Sequence, residues 1–158
     1  MKRTRVMFAL LVAAVFAIGS VPTVANAAEP VVDPDPQIAE MLDAVPGGIL
    51  IDSNHAVWPE LDMEMTVPRP SDVSARAVGG CATGKICAFN AYFADGSALS
   101  FGTCGIHSIP SNFTVKSVAN ARSSGTAQPR NGATVLTTIS AGTYQNTSGT
   151  VTNIRCNF

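Results

Sequence analysis

The chain has 158 residues, 13% of them charged, and a formal net charge of −1. This small value conceals two oppositely charged parts. Residues 28–72 carry ten acidic side chains against Arg69, a net charge of −9, whereas residues 73–158 carry six basic side chains against Asp95, a net charge of +5. The six cations are scattered and no phosphate-binding loop or nucleic-acid motif accompanies them, so we expect no nucleic-acid partner.

The first 27 residues have the layout of a secretory signal peptide. Basic residues at positions 2, 3 and 5 precede an apolar stretch at 6–18, and Ala25-Asn26-Ala27 supplies the small residues that signal peptidase requires. The apolar stretch is shorter than the roughly 20 residues of a membrane-spanning helix, which makes a short membrane anchor the weaker alternative. We therefore expect a secreted, extracellular protein with no membrane association after cleavage.

Residues 28–66 form an acidic N-terminal segment. Pro36, followed by apolar residues at helical spacing, predicts a helix over 36–45. Two extended stretches around Asp52-Ser53-Asn54 predict a hairpin against which Trp58 packs. Residues 67–78, rich in Pro, Ser, Ala and Gly, are expected to form a linker. Two interpretations of the segment stay open, a solvated extension and a pro-segment that docks on the basic domain.

The four cysteines are Cys81, Cys87, Cys104 and Cys156. An even number in a small exported protein indicates disulfides. The spacing is not the C-x-x-C of a redox motif, and a zinc site would have only two histidines to draw on. Of the three possible pairings we predict Cys81–Cys87, which flank a turn at Gly84, together with Cys104–Cys156.

Residues 79–158 are predicted to form a mainly β domain, a small sandwich or barrel. Runs rich in β-branched and aromatic residues alternate with turn dipeptides such as Asp95-Gly96 at the spacing typical of these folds. The runs are 85–90, 97–102, 113–120, 133–139 and 150–156. Within the last run Ile154 and Cys156 share one face, which predicts that the final cysteine points inward.

Part of this domain resembles a known family. Cys81-x5-Cys87-Ala88-Phe89, then Tyr92-Phe93-x-x-Gly96 and Leu99-x-Phe101, is similar to the first Greek-key hairpin of βγ-crystallin-like domains. Residues 113–118 resemble the later strand of that fold, in which a serine, here Ser117, bonds back to the hairpin. Among such domains the chain resembles the secreted actinobacterial peptidase inhibitors typified by the Streptomyces metalloproteinase inhibitor.

The resemblance covers residues 79–158 and implies a disulfide-held Greek-key β-sandwich that inhibits extracellular peptidases, metallopeptidases first among them. Calcium-binding relatives carry Asn or Asp at the positions that Phe113 and Thr114 occupy here, and Asp95 is the only acid of the domain. Since calcium is held by several hard oxygen ligands, we expect no metal and no other cofactor. We also expect the protein to be a monomer.

The candidate inhibitory loop is 105–111, which Cys104 anchors directly. Its candidate contact residues are Ile106, His107, Ser108, Ile109 and Pro110. A rigid extended loop loses little conformational entropy when it binds a peptidase. The alternative is that residues 105–111 have no inhibitory role and only connect two strands of the Greek key. The alternative function is a non-catalytic binding or toxin-like module that acts at cell walls or on competitors.

We expect no enzymatic activity. His107 is the only histidine of the β domain, and its Gly/Ser/Pro surroundings are more typical of an exposed loop residue than of a catalytic base. The chain has no Gly-x-Ser-x-Gly nucleophile elbow to accompany it.

Overall fold

This computed structural model describes residues 33–69 and 78–158. The predicted signal peptide, residues 28–32 and the part of the predicted linker at 70–77 lie outside the described residues. The elements are α1 (Pro36–Ala44), β1 (Ile49–Asp52), β2 (His55–Trp58), a 3-10 turn (Pro59–Leu61), β3 (Met63–Thr66), β4 (Ile86–Phe89), β5 (Ala98–Phe101), β6 (Ile106–Ser108), β7 (Ser117–Asn120), β8 (Thr126–Asn131), β9 (Thr134–Val135), β10 (Ile139–Ser140), β11 (Thr143–Asn146) and β12 (Asn153–Asn157). Neither helical element among the described residues has the length and apolar character needed to cross a membrane.

The described strands form two antiparallel sheets, so the prediction of a mainly β fold is confirmed. The first sheet has the strand order β1-β2-β3-β5-β4-β7-β11. The second has the order β10-β8-β12-β6, with β9 added beside β8. Apolar side chains from both sheets and from α1 meet in one large core cluster.

Helix α1 forms where the sequence predicts it. The Asp35 carboxylate accepts a hydrogen bond from the Gln37 N–H at 2.8 Å and caps the first turn. Ile38 and Met41, three residues apart, lie on one face and are fully buried. The helix ends one residue earlier than expected because Pro46 disfavours the helical conformation at Val45, which is extended.

Residues 49–66 of the N-terminal segment are part of the first sheet, which corrects the interpretation of this segment as a solvated extension. Strand β3 pairs with β5, so that Met63 lies opposite Phe101 and Met65 opposite Leu99. All four side chains are buried in the same core cluster. The residues on either side of the predicted linker therefore belong to one compact unit.

The physical reason lies in the side-chain alternation of the hairpin β2–β3. Ala56 and Trp58 on one strand, and Met63 and Met65 on the other, point to the same face and are at most 2% exposed. A two-stranded hairpin cannot bury such a face by itself and is stable only against other elements. The opposite charges contribute one close contact across the predicted boundary, in which the Lys85 ammonium donates to the Glu64 carboxylate at 2.5 Å.

Both predicted disulfides are confirmed. Cys81–Cys87 joins Cα atoms 5.6 Å apart, and Cys104–Cys156 joins Cα atoms 4.9 Å apart across 52 positions of sequence. Cys156 is buried beside Ile154, on the inward face expected from the alternation.

Several of the remaining strands depart from the sequence expectation. The run 113–120 forms a strand only at β7, and 133–139 contributes only the two-residue strand β9 and the start of β10. Three strands, β6, β8 and β11, were not predicted at all. The alternation of apolar and polar residues is absent from β11, whose four residues are all exposed, and β8 contains Pro129, a residue depleted in strands.

The hairpin 90–97 between β4 and β5 is folded tightly onto β7. The Ser117 hydroxyl donates to the Ala91 carbonyl at 2.7 Å and accepts the Ala94 N–H at 3.0 Å. Gly96 has φ +78° and packs against Asn90, where a Cβ atom would have no room. Phe93 and Ala94 adopt positive φ angles as well, so three residues of this turn hold a left-handed backbone conformation.

Candidate functional site

Strand β6 is the free edge of the second sheet and contains the centre of the predicted inhibitory loop. It pairs with β12, with Ile106 opposite Arg155 and Ser108 opposite Asn153. The Cys104–Cys156 disulfide fixes one end of this pairing. At the other end the Ile109 N–H donates to the Thr152 carbonyl at 2.9 Å. The segment expected to be a loop is therefore a short strand that is held at both ends.

The register of β6 determines which backbone groups face outward. The Cys156 N–H donates to the Gly105 carbonyl at 2.7 Å. Hydrogen-bonded pairs alternate along an antiparallel ladder, so Gly105, His107 and Ile109 direct their backbone groups to β12. Ile106 and Ser108 direct theirs away from it. Among the described residues, the N–H and C=O groups of these two residues have no hydrogen-bond partner.

The same alternation divides the candidate contact residues into two sets. Ile106 is 64% exposed and Ser108 is also exposed, so their side chains are accessible together with their backbone groups. His107 and Ile109 are both buried, at 8% exposure, and Pro110 is half-buried. Ile106 and Ser108 are therefore accessible, whereas the burial of His107 and Ile109 corrects the expectation that these two residues belong to an exposed loop.

His107 is not the exposed loop residue that its neighbours in the sequence suggested. Its ring stacks on Phe101 with centroids 4.6 Å apart and the planes inclined by 22°. Its Nε2 lies 3.1 Å from the Thr103 carbonyl oxygen. Within the described residues, neither ring nitrogen forms a hydrogen bond to a serine or to a carboxylate. The observed role of His107 is thus to pack β6 onto the first sheet.

A groove of about 440 Å³ runs beside β6. One side is formed by the strand and the residues after it, 106–112. The other side comes from the end of α1, the 3-10 turn and the start of β3, and it includes the apolar residues Val45, Leu61 and Met63. Leu61 is 48% exposed although it is fully apolar. This wall was not predicted from the sequence, because residues 28–66 were expected to form a separate segment.

Asp62 connects the two sides of this site. Its carboxylate accepts the Thr103 N–H at 2.6 Å and the Thr103 hydroxyl at 2.7 Å. Partial burial by itself raises the pKa of Asp62. The hydrogen bonds from Thr103 and from the Gly102 N–H, together with the nearby His107, lower the pKa by more than burial raises it. The pKa of this carboxyl therefore lies below its ordinary value of 3.8. The ionised carboxylate holds the turn before β6 against the N-terminal segment.

The described residues contain no group of three or more His, Cys, Asp or Glu side chains that is arranged to hold a metal ion. Comparisons with protein-family models, with curated proteins and with solved structures gave no match.

Proposed function

We propose that the protein is a secreted, non-catalytic inhibitor of extracellular peptidases and that β6 is the strand it presents to them. The observation that carries the proposal is the pair of outward-facing residues Ile106 and Ser108, whose backbone groups have no partner among the described residues. Extended peptides commonly bind by adding backbone hydrogen bonds to a strand edge, with alternate side chains giving specificity. Many peptidases hold their substrate in an extended conformation, so an exposed strand such as β6 could bind in the substrate cleft through the same type of backbone hydrogen bond.

Rigidity supports the same proposal. The Cys104–Cys156 disulfide, the pairing with β12 and the packing of His107 on Phe101 all fix β6 before any partner binds. A strand that is already ordered loses little conformational entropy on binding. The backbone groups of His107 are hydrogen-bonded to β12. The peptide bonds on either side of His107 are therefore poorly placed to adopt the geometry that a peptidase needs for cleavage. Metallopeptidases are the first class to test, because of the family resemblance.

We further propose that residues 79–158 adopt a βγ-crystallin-like Greek key. The supporting observation is the hydrogen bonding of Ser117 to Ala91 and Ala94, which is the bond from a later strand to the folded hairpin that the resemblance implies. Secretion is supported by the two disulfides, which persist in oxidising compartments.

The experiment is a titration of purified protein against a panel of secreted metallo- and serine peptidases. We expect stoichiometric inhibition of at least one of them with a nanomolar inhibition constant. Absence of inhibition across the panel would contradict the proposal.

A variant series then tests the role of β6. Ile106→Glu should weaken inhibition at least tenfold while the melting temperature stays nearly unchanged, because the side chain is exposed. Ile51→Glu is the matched control, since Ile51 is 54% exposed on β1 and lies outside the groove. Ile109→Glu should instead lower the melting temperature strongly, because it places a charge in the core. If Ile106→Glu inhibits the peptidase as strongly as the wild type does, the contact surface lies elsewhere on the protein.

A further inference from the structure

A second groove, of about 790 Å³, lies beside the tightly folded hairpin 90–97. Its walls are the segments 109–116 and 147–152, and Tyr92 stands at its border. The inhibitory proposal makes no use of it.

The groove is lined by hydroxyl groups that the fold does not use. Ser111, Thr114, Ser148 and Thr150 are all exposed, and their hydroxyls form no hydrogen bond with any described residue. They contrast with Thr147, whose hydroxyl donates to the Val115 carbonyl at 3.3 Å. Four free donor and acceptor groups therefore face one groove whose floor contains the buried side chains of Phe113, Val115 and Val151.

Of the described residues that line the groove, Lys116 is the only charged one. Its ammonium lies 5.9 Å from the centre of the Tyr92 ring, and no carboxylate among the described residues forms an ion pair with it. Tyr92 is 50% exposed, so one part of its ring contacts solvent while the lysine approaches another. The groove thus combines a positive charge, an aromatic surface and a set of hydroxyls.

The hairpin holds Tyr92 in place before any ligand binds. The next residue, Phe93, has φ +64°, and its N–H donates to the Asn146 side-chain oxygen at 2.8 Å. The Ala94 N–H is held by the buried hydroxyl of Ser117 at 3.0 Å. These two hydrogen bonds connect the turn to β11 and β7, so the aromatic residue is presented by a fixed backbone.

We propose that this groove binds a polysaccharide that carries carboxylate groups. Sugar rings present an apolar C–H face, which an aromatic ring covers, and hydroxyls, which pair with serine and threonine hydroxyls. A carboxylate on the sugar would pair with the Lys116 ammonium, a compact point charge. A nucleic acid fits the groove less well, because its closely spaced phosphates require several cations and the groove offers one. A purely apolar ligand would leave the four hydroxyls unpaired.

The test measures binding of alginate oligosaccharides, which carry one carboxylate per sugar, and of uncharged dextran oligosaccharides by isothermal titration calorimetry. We expect the purified protein to bind alginate at least tenfold more tightly than dextran. Lys116→Gln should reduce alginate affinity at least tenfold, and Tyr92→Ala should reduce affinity for both sugars. Circular dichroism should show that both variants keep the wild-type fold.

Arg155→Gln is the matched control, because it removes one positive charge from an exposed position on β12 that does not line the groove. It should change alginate affinity less than twofold. An equal loss in Arg155→Gln and Lys116→Gln would show diffuse attraction to a polyanion and would overturn the proposal. Absence of alginate binding, or equal binding of alginate and dextran, would overturn it as well. Peptidase inhibition by Lys116→Gln should be unchanged, which separates this proposal from the previous one.

Discussion

Truncation of Met65 tests whether the N-terminal segment and the disulfide-bonded part of the chain unfold as one unit. Met65 is 1% exposed on β3 and lies opposite Leu99 of β5, so Met65→Ala leaves a cavity between the two parts. Such truncations of buried methionine cost about 2–5 kcal/mol. Against a total free energy of unfolding of about 5–15 kcal/mol for a domain, this is a large fraction.

The assay follows urea unfolding with two probes. Trp58 is the only tryptophan, so its fluorescence reports on the N-terminal segment, whereas far-ultraviolet circular dichroism reports on both sheets. We expect the two transitions to coincide in the wild type and to shift together in Met65→Ala. With a slope of about 2 kcal/mol per molar urea, the middle of the usual range, the midpoint should fall by about 1–2.5 M.

Ile51→Ala is the matched control, because it removes an apolar side chain of the same segment that is 54% exposed. Its free energy of unfolding should change by no more than about 0.5 kcal/mol. The reasoning is refuted if Met65→Ala shifts the fluorescence transition and leaves the circular dichroism transition in place. That result would mean that the segment unfolds independently of the remaining sheet.

Two further predictions concern the disulfides and the pH dependence of stability. Replacing Cys104 and Cys156 by serine should lower the free energy of unfolding by roughly 4 kcal/mol, against roughly 2 kcal/mol for Cys81 and Cys87, because the larger loop restricts the unfolded chain more. Denaturant unfolding of the two double variants checks this order, and the reverse order contradicts it. The pKa of Asp62 is lowered in the folded state, so its contribution to stability is complete above its ordinary value of 3.8 and is lost as the pH falls through the folded pKa. The stability advantage of the wild type over Asp62→Asn should therefore be constant near pH 6 and shrink below about pH 4. An advantage that stays constant down to pH 2 would show that Thr103 does not stabilise the charged form.

Residues close in sequence account for most of the correct predictions. The periodicity of Ile38 and Met41 predicts α1, and the six-residue spacing of Cys81 and Cys87 around a glycine turn predicts their disulfide. Strands β4 and β5 were predicted because their apolar residues are continuous or alternate over four positions. In each case the signal lies within a stretch shorter than about ten residues.

The candidate site could be predicted only in part. The anchoring of residues 105–111 by Cys104 was predicted, but the strand character of β6 was missed. In the structure the exposure alternates, with Ile106 and Ser108 exposed and His107 and Ile109 buried. The sequence does not show this alternation as hydrophobicity, because the exposed Ile106 is apolar and the buried His107 is polar. A three-residue strand between a glycine and a proline is too short for that pattern to be distinguished from a loop.

The sequence by itself determined helix α1, strands β4 and β5, the disulfide framework and the chain segment that contains the exposed edge. The tertiary structure decided that residues 49–66 complete the first sheet, that Val45 and Leu61 form a wall beside β6, and that His107 is buried on Phe101. These features depend on contacts such as Met63 with Phe101, which lie far apart in the chain. A local pattern shows that a strand has an apolar face, but the partner that covers this face is decided only when distant segments compete to bury their apolar surface in one core.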